Sequence, residues 1–437
     1  MPHRFSINTD LDRLPDLHEF SELSQSKIQI TLGDIHGNAI KLLHILIATK
    51  VVTNVTGKQY SHLVQLYNKA PKQLTTGYVT LFNKLLEAIQ FSPTVAVRLL
   101  GDVLADRGSN DYWTLRLLWK LIQAKVPIEI LLSNHDLEFI HAYENQAFFE
   151  PNSGMSDSTG PYSSMCNMQT LIDKALITRE EVLTMINTIY KPSLKILSYT
   201  LDKTTNEITI YSHAPIDLNT IARLAKFFEV AYKDDTIYDL AKTIDLIQKQ
   251  FAIDVQNNRV SSAENKSNAA FMDVMHNRVY DLLETPTTAY PVSFIHGHTD
   301  KTSDVHPNIQ SLNSTLGKPN NRKGEFDFCI GVGDLQLCDL DASEVERLTK
   351  VTQAIDSTTS LGTAAGVAAA DVDSETSLSA AATEMVVVDA DKKPAVKTDA
   401  LSRTRFFTEE PSHAKKPQTR LSLPAHGTPE HHTKPGN

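Results

Sequence analysis

The sequence predicts a layered α/β fold, and three observations predict it. From residue 28 onward, three strand–polar loop–helix units follow one another, and each strand ends in a carboxylate, an amide or an imidazole. Hydrophobic residues make up 41% and charged residues 22% of the 437, enough apolar material for a sizeable core. No apolar run reaches the ~18 residues that a membrane-spanning helix needs.

In the first unit, Ile28-Gln29-Ile30-Thr31-Leu32 alternates as a half-buried strand does, then runs into Gly33-Asp34-Ile35-His36-Gly37-Asn38. Residues 39–46 read as an amphipathic helix. Asp34 and His36 at a strand's C-terminal end can point into one crevice, where open α/β sheets bind ligands. Residues 52–90 look like an insertion, with helical spacing over 78–89. The second unit is a strand at 95–100, the loop Gly101-Asp102-Val103-Leu104-Ala105-Asp106-Arg107-Gly108, and a helix over 111–125. The third is a strand at 128–132, Ser133-Asn134-His135-Asp136, and a helix from residue 137.

The Ser, Gly and Pro of 150–165 mark a loop of the kind that borders a substrate groove. Two helices follow, up to residue 190. Next comes a hairpin, strands 194–200 and 208–211, ending in Ser212-His213-Ala214-Pro215. Residues 217–283 are helical in pattern. A strand at 291–295 leads into His296-Gly297-His298-Thr299-Asp300, and short strands at 326–330 and 335–340 close the domain. The polar stretch 1–27 reads as an N-terminal extension packing on the core. Residues 28–345 form one domain. A helix at 342–355 leads into a low-complexity tail, 346–437, with too few large apolar residues to fold alone.

A formal net charge of −10 argues against a general nucleic-acid binder. Cys166, Cys329 and Cys338 are too few and too irregular for a disulfide framework, which fits a reducing compartment. The N-terminus lacks an apolar signal core, so the expectation is a soluble, cytoplasmic protein.

The polar strand ends align Asp34 and His36, Asp102, Asn134 with His135, His213 and His298. Carboxylate, imidazole and amide donors suit divalent Mn, Fe or Zn. Paired metals about 3.5–4 Å apart recur in phosphatases. In order, Gly-Asp-x-His-Gly, Gly-Asp…Asp-Arg-Gly, Asn-His-Asp, His and Gly-His resemble the metallophosphoesterase superfamily. The Asp-Arg-Gly ending resembles its phosphoprotein phosphatase (PPP) branch, the calcineurin-like serine/threonine phosphatases.

The resemblance covers residues 28–340. It implies a central β-sandwich flanked by helices, with helical insertions, and two divalent metal ions, Mn first. Asp34, His36 and Asp102 would hold one metal, and Asp102, Asn134, His213 and His298 the other. A metal-bridging hydroxide would attack phosphorus directly, with no phosphoenzyme. His135 would protonate the leaving alkoxide, with Asp106 orienting its imidazole, a role typically worth ~10²–10⁴-fold. Arg107 would hold the phosphate, together with Asn134 and a second arginine; Arg278 is the first choice, with Arg259 and Arg223 as rivals. His298 is preferred over His296, which would then sit behind it.

Three departures mark a divergent branch: one extra residue between Asp102 and Asp106, Ser133 where Gly is usual, and Ala214-Pro215 instead of Gly-Gly. With the helical insertions and the tail, they resemble effector phosphatases that intracellular pathogens inject by type IV secretion, which implies translocation and host proteins as partners. The expected substrate is phosphoprotein, at serine or threonine and in extension tyrosine. The alternatives are a nucleotide or diadenosine-polyphosphate hydrolase, or an inactive binding scaffold.

Overall fold

The computed structural model describes residues 2–17, 28–145, 148–150, 160–265, 269–299 and 306–332. The strand expected at 335–340, the helix at 342–355 and the tail lie outside these residues. So do Cys338, Asp300, 18–27 and most of 150–165.

Two mixed sheets flanked by helices make an α/β structure. The strands are β1 (His3–Asp10), β2 (Ile28–Leu32), β3 (Val95–Leu99), β4 (Ile128–Leu131), β5 (Leu194–Lys195), β6 (Ser198–Asp202), β7 (Glu207–Ser212), β8 (Val292–His296), β9 (Ile309–Ser311) and β10 (Lys323–Val332). One sheet has the order β1-β10-β2-β3-β4-β5 and the other β6-β7-β8-β9. β2, β3, β4 and β5 run parallel in the first, and β7, β8 and β9 in the second. The parallel strands of both sheets deliver the polar motifs at their C-terminal ends.

The helices are α1 (Ala39–Ala48), α2 (Gly57–Tyr67), α3 (Thr76–Glu87), α4 (Asp111–Gln123), α5 (Asn134–Glu144), α6 (Ser163–Asp173), α7 (Arg179–Met185), α8 (Lys191–Ser193), α9 (Leu218–Phe227), α10 (Ile237–Gln256), α11 (Val260–Asn265) and α12 (Ala269–His276). A π-helical turn, Ile186–Tyr190, joins α7 to α8. Most begin at a side-chain cap: Asn38, Thr56, Thr75, Asn110, Ser133, Thr178, Asp217 and Thr236 each accept a backbone N–H of the first turn.

Alternation along each strand divides its side chains between two cores. Ile28, Ile30 and Leu32 of β2 and Val95, Val97 and Leu99 of β3 join the large cluster shared with the helices. A smaller cluster, Leu100, Leu131, Tyr211, Ile295, Leu312 and Cys329, joins side chains from both sheets. Beside it the inter-sheet layer is polar. Arg98 is fully buried, its Nε donates to Glu129 (3.0 Å) and Ser198 (3.1 Å), and its guanidinium lies 3.8 Å from the Tyr211 ring centroid. Gln29 and Thr31 face the same guanidinium. The polar face of β2 is therefore buried, where its alternation predicts a half-buried strand.

Four elements differ from expectation. β1 occupies part of the stretch read as an extension and pairs antiparallel with β10 along its whole length, His3 opposite Ile330 and Asp10 opposite Lys323. As an edge strand it needs few apolar residues: Phe5 stacks on Phe328 at 5.5 Å and Ile7 is buried. The strand expected at 194–200 is two strands, because the chain leaves one sheet after Lys195 and enters the other at Ser198. A continuous apolar run does not show such a switch. The insertion 52–90 carries α2 as well as α3. Finally, α5 starts at Asn134, capped by Ser133, so Asn134 and His135 sit in a first helical turn and not in a loop.

Candidate functional site

The C-terminal ends of β2, β3 and β4 meet those of β7 and β8 in one crevice, where the motifs converge. Close approach there excludes side chains: a Cβ on Gly297 would stand 2.0 Å from Asp34 Oδ1, and one on Gly101 2.5 Å from His213 Nδ1. His36, Asp102 and His298 all lie at positive φ (59°, 50° and 61°). Non-glycine residues held there store strain, a feature that collects at functional sites.

Asp102 is the centre. His213 Nδ1 faces the Leu100 carbonyl at 2.7 Å, and since a carbonyl only accepts, Nδ1 carries the proton. Nε2 thus presents a lone pair toward Asn134 Oδ1 (3.1 Å), His298 Nδ1 (3.1 Å) and Asp102 Oδ1 (3.5 Å). Asp102 Oδ1 is buried and has no hydrogen-bond partner among the described residues; neither has His298 Nε2. Asp102 Oδ2 lies 3.8 Å from His36 Nδ1. His36 stands between two acceptors, Asp106 Oδ2 (2.8 Å) and the Ser314 carbonyl (2.7 Å), and a neutral imidazole has one proton for the two.

This donor set fits divalent cations. Asp34, His36 and Asp102 offer ligand atoms all within 4.8 Å of one another, as do Asp102, Asp106 and His135. Burial, then the neighbouring Asp102, pushes the Asp34 carboxyl well above the usual range. Two buried carboxylates need a counter-charge to stay ionised together. Burial also raises Asp102, but His135, His213 and His36 outweigh it and leave its carboxyl lowered. Burial lowers His213 to about 4, so its imidazole is neutral, the form that binds a metal.

The extra residue of the Asp102–Asp106 loop has a structural account. Asp136 accepts the N–H groups of Val103 (3.2 Å) and Leu104 (3.0 Å), Asp111 accepts that of Ala105 (2.8 Å), and Ala105 absorbs the turn at φ 53°. Ser133 Oγ and Tyr190 also donate to Asp136, at 2.6 Å each. The Ala105 carbonyl then accepts from His135 Nδ1 at 2.9 Å. Asp106 was expected to orient His135; its Oδ1 lies 3.5 Å from Nε2, and its hydrogen bonds go to His36 and to Arg107 (2.8 Å). Burial depresses the His135 imidazole, but the charges of Asp106 and Asp102 prevail and raise it.

Arg107 is partly exposed at the site. Arg278 follows α12, is exposed, and lies close enough for its charge to help depress His298, after burial and His213. Among the described residues it has no ion pair, whereas Arg223 and Arg259 are paired with Asp273 and Asp254 at 2.8 Å. His296 sits behind the site, its Nδ1 donating to the Gly297 carbonyl (2.7 Å) and its Nε2 accepting from Tyr280 (2.8 Å). Asp111, Ser164 and the Ala105 carbonyl were not singled out from sequence. Asp136 entered there only as the last residue of the Asn-His-Asp motif, with no role, although Ser133-x-x-Asp136 has the spacing of a capped helix start.

Residues 96–318 match a family model described as "WipA-like, phosphatase domain". That span contains every candidate site residue except Asp34 and His36. The crystal structure of the phosphatase domain from the Legionella effector WipB is 31% identical, with a TM-score of 0.54, over 62% of this chain and 99% of that one. A cold-active protein tyrosine phosphatase is 13% identical over 70% of this chain and 78% of that one, at a TM-score of 0.32. No curated protein matches in sequence.

Proposed function

This chain belongs to the WipA-like phosphatase-domain family, and from the phosphatase activity which that membership supports, together with the order of its Asp, His and Asn motifs, we propose that it is a binuclear-metal phosphomonoesterase of the PPP type acting on phosphoprotein. One observation supports the metal dependence: the buried Asp102 Oδ1, which has no hydrogen-bond partner among the described residues and lies among His213, Asn134 and His298. Asp34, His36 and Asp102 would hold one ion, and Asp102, Asn134, His213 and His298 a second. Bound there, such ions polarise phosphate oxygens and make water a nucleophile at neutral pH.

The chain's own groups do the rest. Arg107, steadied by Asp106, presents a planar fork to the phosphate oxygens, and Arg278, within electrostatic reach of His298, supplies the second guanidinium. Hydrolysis forms a bond from water oxygen to phosphorus and breaks the ester P–O bond. His135, oriented by the Ala105 carbonyl, gives the Nε2 proton to the leaving oxygen.

Metal analysis tests the first point. The wild-type protein should retain two equivalents of Mn²⁺ after desalting, and Asp102→Asn should lose both; equal metal content in the two would overturn it. The effector relative supports a further reading, translocation into a host cell. A translocation assay of the full chain tests it, and failure to translocate would end that reading.

A further inference from the structure

Tyr162 immediately precedes α6 at φ 68°, ψ 2°, a left-handed conformation that costs a non-glycine residue about 1 kcal/mol. It makes no capping bond to the helix. What fixes it is the next turn: Ser164 N–H donates to the Asp106 carbonyl (2.9 Å), Asp106 N–H to Ser164 Oγ (3.0 Å), and Ser163 Oγ to the same carbonyl (3.3 Å). α6 is thus bolted to the Asp106 loop, and the Tyr162 ring rests against His135, with centroids 5.3 Å apart and planes inclined by 53°.

The ring is half-buried, and its hydroxyl has no hydrogen-bond partner among the described residues. Burial, then Glu138, Asp106 and Asp102, pushes the phenol up to about 12, so it stays uncharged. The ring also packs against the main hydrophobic core, which holds it in place beside the proton donor.

We propose that Tyr162 contacts the leaving-group side of the substrate: its ring is the wall along which the alcohol or phenol portion lies while the ester oxygen faces His135. This rests on the reading of His135 as the proton donor. Any group whose oxygen reaches His135 Nε2 also comes within reach of a ring packed on that imidazole.

The test is equilibrium binding to the Mn²⁺-loaded full chain. Two probes are used: phenylphosphonate, which carries an aryl group, and inorganic phosphate, which does not. Tyr162→Asn removes the ring while tolerating the left-handed backbone, and Tyr162→Phe keeps the ring. Tyr162→Asn should weaken phenylphosphonate about fivefold, the size of one aromatic contact, and leave phosphate unchanged. Tyr162→Phe should match wild type for both. Unchanged phenylphosphonate affinity in Tyr162→Asn, or equal weakening of both probes, would overturn the proposal. Intact selective binding without any phosphate release from phosphoesters would sink the enzymatic reading and leave the contact standing.

Discussion

His135 Nδ1 hydrogen-bonds the carbonyl of Ala105 at 2.9 Å, so the loop with the extra residue, by its main chain, orients the imidazole placed to act as acid. Asp106 touches that ring only through space, at 3.5 Å, and is bonded to His36 and Arg107 instead. The first prediction follows from this division. Removing the Asp106 charge should leave His135 oriented but lower its pKa, because Asp106 is the largest influence raising it. An acid must be protonated to act, so the fall of kcat with rising pH should begin at lower pH in Asp106→Asn than in wild type. A pH–rate profile of both proteins checks the sign.

His135 has no hydrogen bond to any of the residues that would hold metal. His135→Ala should therefore keep its metal and lose about 10²–10⁴-fold in kcat. Metal content and steady-state rates on one preparation decide it. Loss of both together would show that His135 is itself a ligand, the role that its grouping with Asp102 and Asp106 allows.

Arg278 has no ion pair among the described residues and lies within electrostatic reach of the site, while Arg223 and Arg259 are engaged at exposed ion pairs. Arg278→Ala should raise KM for a phosphopeptide about tenfold, the loss of one charge-assisted contact. Arg223→Ala and Arg259→Ala should leave KM unchanged and stability within about 1 kcal/mol. Initial rates of the three variants separate them.

A pH-dependent stability term lies away from the crevice. Tyr60 donates to the Leu11 carbonyl (3.0 Å), so its oxygen accepts from His44 Nδ1 (2.8 Å), and His44 Nε2 is left to accept from Thr9. The neutral ring is fully satisfied, and burial lowers its pKa from 6.5 to about 4. The unfolded chain takes up this proton first, so stability is complete above about pH 6.5 and falls as pH drops toward 4. The shift corresponds to about 3 kcal/mol. Denaturant melts at pH 7 and pH 4.5 should show a smaller acid loss in His44→Gln than in wild type.

Much of this was legible because each motif is short and anchored to a strand end. Asp34, Asp102, His213 and His298 could be placed in one crevice from order alone. What stayed hidden depends on long-range closure. β1 holds its place through pairing with a strand more than 300 residues away, and no local period announces it. The split of 194–200 between two sheets leaves no mark in a continuous apolar run. The polar face of β2 looks solvent-facing until Arg98 is seen buried against it. Tyr162 carries no motif at all; only the fold brings it onto His135.

The central claim is that the Asp102-centred cluster hydrolyses a phosphoester on protein. The most direct measurement is phosphate release from matched phosphoserine, phosphothreonine and phosphotyrosine peptides in Mn²⁺, with Asp102→Asn as the blank. Release above the blank from at least one peptide is the predicted result, and the best substrate names the preferred hydroxyl. No release from any of the three, with metal shown to be bound, would contradict the account and turn the search first to nucleotide substrates.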